Sequence, residues 1–180
     1  MADQQTPAIE EEEVSPRYGG ALAAIRKRRE EIIKDGGHLD LLVPGYEGNL
    51  KVRYRDLSDV EHDELAKRFE RARNRDDTKG ERESGADILI KHCERLFVCE
   101  PGEEEFQVLE ENGDPLRFDK RLAPLLGLAA ETAREVVLDV FSPSEGPRRR
   151  HPDAIAPHIE AIFAWRQGRE EEIDKRLLGE

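Results

Sequence analysis

Apolar and polar residues alternate with period two over Leu39, Leu41 and Val43. The alternation stops at Pro44-Gly45-Tyr46-Glu47-Gly48-Asn49 and resumes at Leu50, Val52 and Tyr54, with Lys51, Arg53 and Arg55 on the opposite face. Alternation on both sides of a Gly/Pro/Asn break predicts two half-buried strands joined by a turn. Ser58 followed three residues later by Glu61 predicts a capping box: the serine oxygen accepts from the N–H three residues on, and the glutamate reaches back to the serine N–H. The helix opened there is predicted to run to about Arg73, with Leu65, Phe69 and Ala72 on one side. Strand, turn, strand and capped helix make an α+β seed over 39–75, around which the other segments are arranged.

The flanking patterns are mostly helical. Residues 20–34 carry Leu22, Ile25, Ile32 and Ile33 near helical spacing, with Gly36-Gly37 as a stop. Residues 74–82 are wholly polar, which predicts a mobile loop. Over 86–98, Leu89, Cys93, Leu96 and Phe97 fall at i, i+4, i+7 and i+8, predicting a core-facing helix ended by Pro101-Gly102. Asn112-Gly113 between apolar flanks predicts a short hairpin over about 105–118, because both residues tolerate positive φ. Asp119 is placed to cap a helical turn over 120–126. Residues 129–141 form a further amphipathic pattern with Ala133, Val136, Val137, Val140 and Phe141 on one face.

Residues 142–152, SPSEGPRRRHP, read as a linker by composition. Beyond it, Ile155, Ile159, Ile162 and Phe163 form one stripe with Trp165 at its edge. Gln167-Gly168 is read as a break before a short charged helix over 169–178. The expected organisation is therefore a disordered acidic tail over 1–16, an α+β core over 17–141, a linker over 142–152 and a helical C-terminal unit over 153–180. The fold class is α+β: a small antiparallel sheet of hairpins packed by several helices.

Composition narrows the partners. Of 180 residues, 39% are charged and 37% hydrophobic, with a formal net charge of −12. A chain this acidic is repelled by nucleic-acid backbones and anionic membrane surfaces, so neither is an expected partner. Residues 1–16, with Glu10 to Glu13 in a run, bury too little apolar area to offset their ordering entropy. Cys93 and Cys99 are spaced against a mutual disulfide on a helix, which fits a reducing compartment. No apolar run approaches the roughly 20 residues of a membrane span, and MADQQTPAIEEEEV has no basic–apolar leader, so cytoplasm is the expected location.

No constellation of catalytic chemistry assembles along the chain. His92-Cys93 with Cys99 lacks the paired close spacings of a four-ligand zinc site. His38, His62, His151 and His158 are scattered and accompany no nucleophile motif. Glu103 to Glu105 and Glu110-Glu111 are dense enough that chance carboxylate pairs are expected. Gly45 and Gly48 bracket a turn without the lysine and hydroxyl of a phosphate loop. Arg148-Arg149-Arg150 reads as a solvated linker segment. Neither an enzyme nor a cofactor or metal is expected. The candidate partner-binding residues are Ile155, Ile159, Ile162, Phe163 and Trp165: this apolar, aromatic helix either folds back as core or is laid into a partner's groove.

Taken in order, an acidic lead, VPGYEGNLKVRYRDLS, ADILIKHCERLF, PLRFDKRLAPLLGL and a C-terminal EEIDKRLLGE resemble the tail assembly chaperones of long-tailed bacteriophages, particularly those of actinobacterial hosts. The resemblance spans about residues 39–178. It implies a non-enzymatic protein that coats the tape measure protein, a long amphipathic helical client, and keeps it soluble until tail-tube protein polymerises around it. It also implies, as further partners, tail-tube protein and an extended frameshifted form of the same chain. Action in the host cytoplasm and absence from the mature virion follow. The competing expectation is a tail-completion or minor virion structural protein.

Overall fold

The computed structural model describes residues 37–142 and 155–178 and, upstream, Gly20, residues 23–25 and Lys27, which are helical and exposed; side chains of residues 173–174 and 176–178 fall outside the description. The expected acidic tail over 1–16, most of the 20–34 helix and the 143–152 part of the linker lie outside the described residues.

Strands β1 (Leu39–Leu42) and β2 (Leu50–Tyr54) pair antiparallel with Leu39 opposite Tyr54 and Leu41 opposite Val52. Leu50, Val52 and Tyr54 are buried while Lys51 and Arg53 are half-buried on the other face, as the alternation requires. The turn between them needs three residues at positive φ, Gly45, Glu47 and Gly48, which a Gly-rich hexapeptide supplies. On the outer sheet face, Lys51 lies 4.9 Å from the Phe97 ring centroid and 4.2 Å from that of Phe106, and the Arg53 guanidinium 4.8 Å from Phe97. The charged ends thus lie over aromatic faces in cation–π contact. Asp40 receives the Arg53 fork at 2.8 and 2.9 Å, which holds its carboxyl below the usual range.

Helix α1 (Asp59–Asn74) begins at Ser58, whose oxygen accepts from the Glu61 N–H at 3.4 Å. The return contact differs from the expected box: the Ser58 hydroxyl donates to the Glu61 carboxylate at 2.8 Å. Leu65, Phe69 and Ala72 are buried as expected. The predicted loop over 74–82 is corrected. Helix α2 (Thr78–His92) starts at Asp77, whose carboxylate accepts from the Gly80 N–H at 2.9 Å, so only 75–77 connect the two helices. The segment is polar because the first turns of α2 lie at the surface, and its capping aspartate is part of that polarity.

The predicted helix over 86–98 is half corrected. α2 ends at His92, and β3 (Cys93–Val98) takes over directly, paired antiparallel with β2. A short apolar run satisfies a helix stripe and a buried strand equally, and here pairing between two strands decides. A bulge opposite Arg53 and Tyr54 absorbs the change of direction. β4 (Gln107–Val108) completes the sheet in the order β1-β2-β3-β4, and β5 (Glu110–Glu111) with β6 (Asp114–Pro115) forms a separate two-stranded hairpin. Asn112 and Gly113 turn that hairpin at φ 53° and 83°, as their chemistry predicts.

Helix α3 (Leu122–Leu125) follows Asp119, which accepts from the Arg121 N–H at 2.8 Å. Helix α4 (Ala133–Phe141) opens with a full capping box of Thr132 and Glu135, a Thr-x-x-Glu signal present in the sequence. Helix α5 (Ala156–Leu178) is continuous, so the expected break at Gln167-Gly168 is corrected: Gly168 faces open space and costs the helix only its propensity. The α+β expectation holds, with α1, α2, α4 and α5 packed around one core. Thr132→Ala is expected to lower stability by about 1 kcal/mol through loss of the α4 cap, read by urea denaturation; an unchanged midpoint would show that the cap is replaced by water.

Candidate functional site

The described surface is organised around the groove in which α5 sits. α2 forms its floor. A glycine inside a helix costs about 1 kcal/mol against alanine, yet Gly85 lies mid-helix on α2. The reason is contact: a Cβ at Gly85 would lie 2.8 Å from Ile155 Cδ1, 3.0 Å from Ile159 Cδ1 and 3.3 Å from the Phe69 ring. The missing side chain is a notch that two isoleucines fill.

This placement corrects the expected partner-binding face. Ile155, Ile159 and Ile162 are at most 1% exposed and belong to the same core as the sheet and α2. Phe163 packs partly against that core, and Trp165 is half-buried. The C-terminal helix is therefore not a separate unit offering a free stripe, because the notch gives that stripe a place to be buried within the chain. The structure places Ile155 immediately before α5 and the other four residues on it, but turns the three isoleucines inward.

Polar side chains fasten the same helix. His158, one residue before Ile159 on the buried side, bonds the Leu42 carbonyl through Nε2 at 3.0 Å and the Tyr54 hydroxyl through Nδ1 at 2.8 Å. A carbonyl only accepts, so Nε2 carries the hydrogen and Tyr54 donates to Nδ1. The neutral imidazole is fully satisfied, and the Phe141 ring meets it edge-on at 4.7 Å. Burial lowers the His158 pKa, the Leu42 carbonyl opposing, and burial raises that of Tyr54.

Four residues past Ile162, Arg166 continues the stripe and is 7% exposed. Its Nη1 donates to Asp56 Oδ1 at 2.6 Å and to the Leu57 carbonyl at 2.7 Å, and its Nη2 to the Asp59 carboxylate. Arg169 donates to the other Asp56 oxygen at 2.9 Å and lies over the Trp165 ring at 5.4 Å. These aspartates flank the cap of α1, so the start of that helix carries the carboxylates that read the arginine.

An imidazole pair lies alongside. His92 Nδ1 donates to the Arg55 carbonyl at 2.8 Å, leaving Nε2 to accept from His62 Nδ1 at 3.3 Å. His62 meets Phe163 edge-on at 5.1 Å. It borders a hollow of about 440 Å³ lined by Asp59, His62, Asp63, Phe163, Arg166 and Glu170 among others. Among the described residues no group of three or more His, Cys, Asp or Glu is arranged to hold a metal ion. Burial pushes the Cys93 thiol up to about 12, which keeps it protonated and poorly nucleophilic.

A larger depression of about 650 Å³ lies between α2 and α4. Its charged lining is tied together: Arg134 forks onto Asp87 at 2.7 and 2.8 Å, and Arg68 reaches the same carboxylate at 3.1 Å. This network joins α1, α2 and α4. Sequence reasoning did not single out Gly85, Arg166 or the Asp56/Asp59 pair. Two signals were available: a Ser84-Gly85-Ala86 run of small residues inside an apolar helix pattern, and an arginine at a stripe position.

The buried imidazoles make stability depend on pH. Burial pushes His92 from its ordinary 6.5 down to about 4, the Arg55 carbonyl opposing and His62 adding to the fall. His62 is lowered too, by burial and by Arg166, with Asp63, Asp56 and Glu170 opposing. Below pH 6.5 the unfolded chain takes up protons that the folded one refuses, so stability is full above that pH and falls as pH drops towards 4. The His92 share is about 2 kcal/mol between roughly pH 7.5 and pH 5, read from urea denaturation at the two pH values. A His92→Gln variant should show a shallower loss; equal stability of the native chain at both values would contradict the assignment.

A scan against protein-family models finds no matching family, and searches of curated proteins and of solved structures return no match to this chain.

Proposed function

We propose that this chain acts by binding and not by catalysis, as a tail assembly chaperone that holds an amphipathic helical client, the tape measure protein of a long-tailed phage, during assembly in the host cytoplasm. The observation that carries this reading is the α5 groove. It seats a helix through isoleucines at i, i+4 and i+7 and recognises an arginine four residues further on through Asp56 and Asp59. A body that binds an amphipathic helix in this way has the chemistry a helical client requires.

Two further observations support it. The stretch that carries the family resemblance, VPGYEGNLKVRYRDLS, runs from the end of β1 through the turn and β2 to the cap of α1, one continuous unit. A net charge of −12 opposes self-association of a body loaded with an apolar client. Among the described residues no helix is long and apolar enough to cross a membrane.

The test is co-expression with the tape measure protein of the same phage. The expected result is a several-fold rise in soluble tape measure protein and its co-purification with this chain. Unchanged solubility with no co-purification would end this reading. Mass spectrometry of purified virions separates it from a tail-completion subunit, which would be found in the particle.

A further inference from the structure

The groove that α5 occupies takes a helix through Ile155, Ile159 and Ile162 and through Arg166. Ile155, Ile159 and Ile162 enter the core and Arg166 follows them on the same side, while Gln167, Gly168, Glu170, Glu171, Glu172 and Lys175 are exposed. The fastening is also unlike that of an ordinary core helix. Two of its buried side chains, His158 and Arg166, are polar. Much of what Arg166 binds can return to water: Asp59 is 87% and Asp56 34% exposed at the side chain, so withdrawing the arginine strands no buried charge.

We propose that α5 is a stand-in for the client: an amphipathic helix of the partner enters the α2 groove in its place, filling the Gly85 notch and engaging Asp56 and Asp59. This inference rests on the proposed chaperone reading and assigns its binding site. The occupant is specified by what α5 presents: β-branched aliphatic residues at i, i+4 and i+7, then a basic residue at i+11. Shape sets the first requirement, because the notch accepts methyl-bearing side chains where a Cβ on α2 would collide. Charge sets the second, because Asp56, Asp59 and Asp63 rim the far end of the groove and the rest of the chain is acidic. Exchange also reconciles a helix-binding protein with apolar faces that are packed away in the free state. The apparent affinity for a client is then the intrinsic one reduced by the fraction of molecules whose groove is open.

The probe is a labelled peptide of roughly 20 residues, long enough for five to six helical turns, with isoleucine at i, i+4 and i+7 and arginine at i+11 on an alanine–lysine–glutamate background. Its control has serine at the three isoleucine positions. Anisotropy of the peptide against the full chain reports binding. Emission of Trp165, the one tryptophan, reports whether α5 leaves. The expected result is saturable binding of the isoleucine peptide alone, with a red shift of Trp165. Arg166→Gln loosens α5 without altering the groove and should tighten apparent binding about tenfold or more. Gly85→Val fills the notch and should abolish binding; should that variant fail to fold, the Arg166→Gln comparison decides by itself.

No saturable binding to the Arg166→Gln chain, or binding with Trp165 unmoved, overturns the proposal. A concentration-dependent dimer without peptide binding assigns the groove to a second copy of this chain and overturns it as well. The underlying reading fails separately. If the tape measure protein is kept soluble while the peptide never binds, the chaperone stands and this site is wrong. If the peptide exchanges and the tape measure protein stays insoluble, the chaperone reading falls and the groove remains a helix-exchange site.

Discussion

The close approach of α5 to the backbone of α2 is the contact on which the rest of the structure depends. It exists because residue 85 has no side chain. With that space open, Ile155 and Ile159 reach the helix and close the core against Phe69. α2 is then covered by α1, α4 and α5, and leads directly into the central strand β3. An element buried on so many sides needs small residues where neighbours crowd it, and Ser84-Gly85-Ala86 supplies them. The connection also explains how a chain with so few apolar residues forms one core: segments from both halves of the sequence contribute to it.

A charge-rich composition leaves its mark on how that core is completed. Where aliphatic residues run out, His158, His92 and Arg166 take buried positions with hydrogen-bond partners. His158 divides its two nitrogens between a hydroxyl donor and a carbonyl acceptor, and His92 does the same between a carbonyl and a second imidazole. In both, one ring nitrogen accepts, which requires the neutral ring, and burial favours that state against the opposing carbonyl bonds. Arg166 is met by a carbonyl and two carboxylates, which suits its planar fork. On the opposite sheet face, the charged ends of Lys51 and Arg53 lie over Phe97, so charge and packing are served by the same side chains.

On the proposed reading, these features bear on how a helix-binding protein can be built. An exposed apolar stripe binds readily but also aggregates; a stripe held in a cognate groove avoids that at the expense of apparent affinity. In this chain stripe and groove are complementary in shape at Gly85 and in charge at Asp56 and Asp59. Binding by exchange is therefore compatible with a free state whose isoleucines are buried, whereas binding through a permanently open face is not.

Local chemistry made part of this legible in advance. The β1–β2 hairpin, the start of α1 and the Asn112-Gly113 turn follow from alternation, a serine cap and residues that accept positive φ, all of them interactions within a few residues. The polar residues 74–82 misled because a surface helix start and a loop share a composition. The apolar run 86–98 misled because a helix stripe and a central strand share a pattern until a partner strand is known. For the C-terminal helix the sequence by itself determined its existence, its apolar stripe at 155, 159 and 162 and the acidic character of the whole. Only the tertiary structure decided where that stripe points, since its burial depends on a notch at residue 85 and carboxylates at 56 and 59, some 70 to 110 positions away. No periodicity along a chain encodes the distance between such groups once they are folded together.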